Sequence, residues 1–387
     1  MERPLLNRRM AGMGSTIFAE MSALAEATGS VNLGQGFPDT DGPREIAQAA
    51  AAAILDGHGN QYPPGPGVPE LRQAIAEHQQ RFYGLGLDPD TEVLVTAGAT
   101  EAVAAALLAL VEPGDEVVAF EPYYDSYAAC VALAGGVRVP VTLRPPAFRP
   151  DLDALRTAIT PRTRLILLNS PHNPTGSVFT RDELAVIADL ARERDLLVVA
   201  DEVYEHIVYT GEHVPIGSLP GMRERTVSIS SAGKTFSFTG WKIGWVTASA
   251  ELVAAVRAVK QFLTFVSGGP FQYAIAEALR MPDEYFAWMT ADLRRKRDLL
   301  CAGLSEVGFL VYPPDGTYFV TTDIGQFGDA DGVQFCRSLP HQAGVVAIPS
   351  AVLYDDPEAG RTQVRFAFCK RPEVLQDALA RLGKWAA

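Results

Sequence analysis

A lysine amine can condense with a carbonyl, and it can carry a proton near neutral pH once burial lowers its pKa. Lys234 stands where such burial is expected, in Ser231-Ala-Gly-Lys-Thr235 directly after the apolar run Thr226–Ser230. If that run is a strand of an α/β sheet, the lysine sits at the carboxyl edge where open sheets bind ligands. The Gly-Lys-Thr also invites a nucleotide phosphate loop, but in G-x-x-x-x-G-K-S/T the first glycine would fall on Ser228, inside the run. Taken alone, Lys234 reads equally well as a solvated loop residue, so the question is what else converges on it.

Several segments do. The run Leu196–Ala200 ends in Asp201-Glu-Val-Tyr204, which places a carboxylate at the same edge. By itself Asp201 would make a good helix N-cap. Beside a pyridine nitrogen it would keep that nitrogen protonated, as a pyridoxal phosphate (PLP) ring requires of an electron sink. Ser170-Pro-His-Asn-Pro-Thr-Gly176 follows the run Arg164–Asn169 and is rich in turn residues, and Asn173 can donate a side-chain hydrogen bond there, with Tyr204 a second donor to the same phenolic oxygen. Ala97-Gly-Ala-Thr-Glu101 ends another run and opens a helix, offering free amides and the positive end of a dipole to an anion. A phosphate there would meet Ala99 and Thr100, with Ser231 adding a hydroxyl and Lys242 a charge, while Tyr123 would stack on a ring.

The elements that must hold these residues are legible as seven apolar runs: Glu92–Thr96, Glu116–Phe120, Val137–Val141, Arg164–Asn169, Leu196–Asp201, Thr226–Ser230 and Ile243–Thr247. Most are continuous rather than alternating, the pattern of strands buried on both faces, and helical periodicity lies between many of them, as in Glu101–Val111 and Thr180–Glu193. The fold class is therefore α/β, with a mostly parallel seven-stranded sheet flanked by helices. Thr180-Arg-Asp-Glu183 has the spacing of a capping box, Asp151–Asp153 precedes another helical segment, and Pro113-Gly114 marks a helix stop. From about Met281 a charged helix (Asp283–Val307), strand candidates Tyr318–Thr322 and Val364–Phe368 and a terminal helix give a second, α+β unit. The expected division is 1–40 packing with the small domain, 41–280 as the large domain and 281–387 as the small one. Asn60–Val68 is too rich in Pro and Gly for a regular element.

Composition narrows the function class. With 387 residues, 48% hydrophobic and 20% charged, the chain can bury a sizeable core. A net charge of −13, spread along the chain, argues against a nucleic-acid surface. The four cysteines (Cys130, Cys301, Cys336, Cys369) show no C-x-x-C spacing, so free thiols, no metal site and a cytoplasmic setting are expected. The apolar stretch Ala102–Val111 is too short to span a bilayer, and residues 1–14 lack a secretory pattern.

Over essentially its whole length the chain resembles the class I/II aminotransferases of PLP fold type I. The residues that carry the resemblance are Gly34-Gln-Gly-Phe-Pro38, Gln61-Tyr62, Gly98-Ala-Thr100, Asn173-Pro-Thr-Gly176, Asp201-Glu-Val-Tyr204, Ser231-x-x-Lys234 and Arg365-Phe-Ala-Phe368, in the family's order. The resemblance implies pyridoxal 5'-phosphate as cofactor, with Lys234 as its Schiff-base lysine and proton shuttle and Asp201 at the pyridine nitrogen. It implies Asn173 and Tyr204 at the 3-oxygen, Tyr123 on the ring, and Ala99, Thr100, Ser231 and Lys242 on the phosphate. Many relatives have an arginine where Lys242 stands, a point charge replacing a fork. Tyr62 is expected to reach the phosphate of a neighbouring subunit, which implies a homodimer with shared sites. Arg365 would bind the substrate α-carboxylate with help from Gly36 and Asn173.

The implied reaction moves the α-amino group of an L-amino acid to a 2-oxo acid, both small molecules. Asn60-Gln-Tyr-Pro-Pro-Gly-Pro-Gly67 and Phe18-Ala-Glu-Met-Ser-Ala-Leu24 bring the chain nearer N-succinyldiaminopimelate aminotransferases than the similar kynurenine/glutamine transaminases. Phe18, Phe37, Tyr123, Phe265, Phe271 and Tyr318 are the aromatic candidates for reading the side chain. Within enzymes the alternative is a PLP β-lyase acting on cysteine conjugates. A PLP-sensing transcription regulator would need an appended helix-turn-helix, for which residues 1–31 are too few, and no G-x-G-x-x-G follows a strand to support a dinucleotide enzyme.

Overall fold

The apolar runs of the middle third pair into one twisted sheet. In the computed structural model, which describes residues 5–11, 13, 16–328 and 331–387, the spatial order is Val93–Ala97, Ile243–Thr247, Thr226–Ser231, Leu197–Asp201, Thr163–Asn169, Glu116–Glu121, Val137–Thr142. Ile243–Thr247 runs antiparallel to both neighbours and every other pairing is parallel. The central strands are apolar throughout because both faces are covered. Val103, Leu107 and Val256 from helices Gly98–Leu110 and Ala250–Leu263 pack one face, and Leu155, Leu184 and Ile187 pack the other. Val137–Thr142 is one of the two edge strands, which is why it tolerates Pro140 opposite Ala119.

Register brings the chemistry together. Asn169 is paired with Asp201, and Asp201 with Ile229, so these strands end level with one another. At the same edge Ala97 meets Ile243 and Ser231 meets Gly244. The loops that leave these ends therefore open onto one crevice, although they are separated by up to a hundred or more positions in sequence.

A second, four-stranded antiparallel sheet follows the order Ile348–Pro349, Gln363–Ala367, Phe319–Asp323, Leu310–Tyr312. Helices Asp283–Val307, Gly332–Gln342 and Pro372–Ala386 accompany it. Its core joins Phe366, Leu339 and Leu375 to Met21 and Leu33 from the start of the chain, and to Tyr204 and Ile207, which arrive from the end of the strand Leu197–Asp201. Val31–Asn32 pairs in parallel with Val345–Val346 and ties the two ends of the chain together. The short strands Leu310–Tyr312 and Ile348–Pro349 lie outside the sequence expectation, because two or three residues show no periodicity. Asn60–Val68 is loop, as its composition requires. Positions 1–4, 12 and 14 of the stretch read for a signal lie outside the described residues.

Thr180 caps helix Arg181–Glu193 with the full capping box, its Oγ1 accepting from Glu183 N and the Glu183 carboxylate accepting from Thr180 N. Thr180→Ala is expected to cost about 1 kcal/mol locally. Amide hydrogen exchange at Asp182–Leu184 should quicken about fivefold, and unchanged exchange would show that the rest of the first turn holds without the cap.

Candidate active site

A cavity of about 420 Å³ opens where the strand ends converge. Gly36, Ala99, Thr100, Asn173, Asp201, Tyr204, Ser231, Lys234, Lys242 and Arg365 all line it. Tyr62 and Tyr123 are absent from the lining.

Lys234 lies in the one-turn helix Ala232–Thr235 after the strand Thr226–Ser231. Its Nζ approaches Gly36 O at 3.5 Å and the rings of Tyr204 and Tyr318 at 5.7 and 5.6 Å. Burial pulls the amine below the ordinary lysine range, with Cys369 and Asp201 opposing the shift and Arg365 and Lys242 adding to it. Asp201, the last residue of its strand, is buried. Its Oδ2 accepts from Tyr127 Oη at 2.6 Å, its Oδ1 from Val203 N at 3.3 Å, and its carbonyl from Asn169 Nδ2 at 2.8 Å. Burial raises this carboxyl above its usual value and the Tyr127 hydrogen bond works against the rise. Tyr204 stands edge-on to Tyr318 at 5.3 Å, its hydroxyl pushed up by burial.

Arg365, from the strand Gln363–Ala367, is buried and forms no ion pair among the described residues. Nη2 donates to Gly34 O at 2.7 Å and Nη1 to Asn173 Oδ1 at 3.1 Å, while Nε has no partner. The guanidinium lies 4.1 Å from the Phe319 ring centroid and 5.1 Å from that of Phe18. Burial draws it down to about 10, so at neutral pH it remains a cation, with Asp125 acting on it only from beyond ion-pair contact. Such a group is a receptor for an anion, and a carboxylate matches its fork. Because Asn173 Oδ1 is engaged by Arg365, the donor that Asn173 can offer is Nδ2.

The other end of the cavity suits a phosphate-like anion. Gly98 begins helix Gly98–Leu110 at φ +74, and a side chain there would meet Lys242 Nζ at 3.1 Å. Gly244 lets the neighbouring strand approach the same turn, since a Cβ would stand 2.7 Å from Ala99 N. The free amides of the first turn, the Ser231 hydroxyl and the Lys242 ammonium thus face one spot.

Two placements differ from the sequence reading. Tyr123 does not stack over the cavity. Its N–H donates to Leu353 O, its hydroxyl donates to Asp355, and Tyr124 lines the cavity in its stead. Tyr124 and Tyr127 bracket the first turn of helix Asp125–Ala134 and share its inner face, and Tyr123 falls outside that helical phase. Tyr62 is 83% exposed and rests edge-on against Phe265. Among the aromatic candidates for the side chain, Phe18 and Phe37 line the cavity, Tyr318 donates to Gly36 O at 2.6 Å, and Phe265 and Phe271 lie elsewhere. Thr16, Gln35, Asn169, Tyr127 and Phe319 also line it and were missed. The three-residue spacing of Tyr124 and Tyr127 was the available signal for Tyr127.

Behind the Asp201–Tyr204 segment, His78, Glu205 and His206 cluster within 4.8 Å. His78 Nε2 and His206 Nε2 are 2.7 Å apart, a hydrogen bond, whereas two nitrogens on one tetrahedral zinc stand about 3.3 Å apart. Glu205 accepts from Ser230 Oγ at 2.5 Å. The cluster therefore braces the loop after Asp201 against helix Pro69–Tyr83 rather than framing a metal.

Comparison with known proteins agrees with this geometry. The family model "Aminotransferase class I and II" matches residues 28–382. The chain is 53% identical over 386 residues to a probable N-succinyldiaminopimelate aminotransferase of Mycobacterium tuberculosis, covering 97% of each chain. It is 42% identical over 371 residues to the methionine aminotransferase of Escherichia coli, covering 96% of each. The solved structure of N-succinyldiaminopimelate aminotransferase from Mycobacterium tuberculosis superposes with a TM-score of 0.96 at 52% identity, covering 98% of this chain and 100% of that one. These relatives are named for transamination, which disfavours the β-lyase alternative. Sequence identity of this order along the whole length makes the assignment independent of any single side chain: the chain belongs to the class I and II aminotransferases, and its activity is that of an aminotransferase.

Proposed function

We propose that the enzyme uses pyridoxal 5'-phosphate to move the α-amino group of an L-amino acid to a 2-oxo acid, and that the cavity is its active site. The observation that carries this reading is the disposition of charge. A buried lysine and a buried carboxylate line the same cavity as an arginine that makes no ion pair among the described residues and an amide-lined anion cradle. When bound, PLP supplies an aldehyde for the amino group and an electron-withdrawing ring. Ala99, Thr100, Ser231 and Lys242 would hold the phosphate, Asp201 the proton on the ring nitrogen, Asn173 Nδ2 and Tyr204 Oη the 3-oxygen, and Tyr124 one ring face. Arg365 would grip the α-carboxylate with Gly34 and Asn173 fixing its fork, beside the backbone of Gly36. Lys234 Nζ would then accept the proton from the substrate α-carbon and return it two bonds away, to the carbon on the far side of the amino nitrogen. The aromatic wall of Phe18, Phe37 and Phe319 and the low polarity it creates favour a long or aromatic substrate side chain.

Exposed Tyr62, Phe262, Leu263 and Phe265 support a homodimer in which Tyr62 of the partner subunit completes the phosphate site. Residues 41–280 and 281–387 are proposed as large and small domains, with 1–40 packing on the latter. No helix among the described residues is long and apolar enough to cross a membrane, and we place the enzyme in the cytoplasm. The test is an absorption spectrum of protein loaded with PLP, followed as glutamate, methionine, kynurenine and N-succinyldiaminopimelate are added. Bleaching of the lysine-bound cofactor band with release of the matching 2-oxo acid supports the reading and names the donor. A protein that takes up no PLP overturns it.

A further inference from the structure

Tyr127 belongs to the wall of the cavity, and its one hydrogen bond to the site goes to Asp201. It is 4% exposed, packed in the core between helices Gly98–Leu110 and Asp125–Ala134, and its hydroxyl donates to Asp201 Oδ2 at 2.6 Å. The other carboxylate oxygen, Oδ1, has only the longer 3.3 Å contact from Val203 N. One oxygen is therefore pinned and the other is left to face the cavity. The Asn169 side chain fixes the Asp201 carbonyl at 2.8 Å, so backbone and side chain are both held. Tyr124 stands edge-on to Tyr127 at 5.9 Å, one turn earlier on the same helix face. A single helix thus presents both the ring against which a flat ligand would lie and the hydroxyl that aims the carboxylate at that ligand's edge.

We infer that Tyr127 is a positioning residue, whose hydroxyl holds the Asp201 carboxylate with Oδ1 directed at the ring nitrogen of the cofactor. The inference rests on the PLP reading above and deepens it. Without the hydroxyl, Oδ2 is a buried acceptor with no donor, and a carboxylate in that position either rotates or takes up a proton. The direction is consistent with the opposing pulls on Asp201, where burial favours the neutral acid and Tyr127 favours the anion. The order of these effects fits a hydrogen bond to a charged group, which contributes more than one between neutral partners.

Tyr127→Phe keeps the ring and removes only the hydroxyl. The PLP dissociation constant of this variant is expected to rise about tenfold or more, measured on the full-length enzyme by equilibrium dialysis with PLP itself. The acid limb of kcat/KM should move to higher pH, because the carboxyl of Asp201 is then protonated over a wider range. KM for the amino acid should stay within about twofold, since Arg365 is untouched, whereas a general loosening of the fold would raise it as well. The same substitution in an Asp201→Ala background should change PLP affinity little, because the acceptor of the hydroxyl is then already gone. An unchanged dissociation constant and pH profile in Tyr127→Phe overturns the inference, as does an effect of equal size in the Asp201→Ala background. Failure of the wild-type enzyme to bind PLP would instead strike the proposed function, so the two failures are distinguishable.

Discussion

Lys234→Ala is expected to lower kcat by at least ~10⁴-fold, because in the proposed mechanism one side chain would supply both the covalent attachment point and the proton carrier. Its surroundings specify that double duty. The amine is buried among Gly36, Tyr204 and Tyr318 with no carboxylate in ion-pair contact among the described residues, and burial lowers its pKa. A lowered pKa increases the neutral fraction at any given pH, so the free enzyme should gain reactivity toward an aldehyde as pH rises through that value. The same shift has a stability cost with a definite sign. In the unfolded chain the lysine returns to its ordinary range and binds a proton that the folded state has released. Stability of the apoprotein therefore increases with pH between the folded and unfolded values, and the penalty is fully present below both. Lys234→Met, which cannot titrate, should melt above wild type at neutral pH while being inactive. Steady-state rates and thermal melts of the apoprotein check both halves. Residual activity within a hundredfold of wild type would remove Lys234 from the centre of the chemistry.

The second large effect is expected at Arg365. Arg365→Ala should reduce kcat/KM by about 10²–10³-fold, the usual consequence of removing one member of a buried charge pair. Arg365→Lys should recover only part of this, since a lysine keeps the charge but loses the fork that Gly34 O and Asn173 Oδ1 hold in place. KM should rise for the amino acid and for the 2-oxo acid alike, as both present a carboxylate to the same cation, while PLP affinity should change little. Apolar amines lacking a carboxylate should be nearly indifferent to the substitution. If KM for both substrates stays at the wild-type value, the α-carboxylate binds elsewhere.

Much of this was legible before any coordinates. The seven strands were readable because burial on both faces leaves uninterrupted apolar runs, and Thr180 and Glu183 announced their helix through spacing alone. Lys234, Asp201, Asn173 and Arg365 were recognisable because each lies on a strand or within four residues of a strand's end, where the loops open onto the cavity. Tyr123 illustrates the limit. Two adjacent tyrosines differ only in which falls into the phase of the following helix, and that phase is set by packing that adjacent sequence does not encode. Tyr127 was overlooked because a buried tyrosine on an apolar helix face reads as core, and its hydroxyl partner lies 74 positions away. The strands Leu310–Tyr312 and Ile348–Pro349 exist only through their partners, so no local signal marks them.

The pairing of Val31–Asn32 with Val345–Val346, together with the bond from Arg365 to Gly34, also sets the order in which the enzyme is made. Arg365 and Gly34 are 331 positions apart. At about 5–20 residues per second on the ribosome, the start of the chain waits roughly 15–70 s for its counterpart. The central sheet is complete in sequence by Thr247 and can assemble during that wait. The proposed carboxylate receptor is thus among the last parts of the site to be made, and a nascent chain cut short before residue 363 carries all seven strands of the central sheet and Lys234 but not the arginine proposed to select an amino acid.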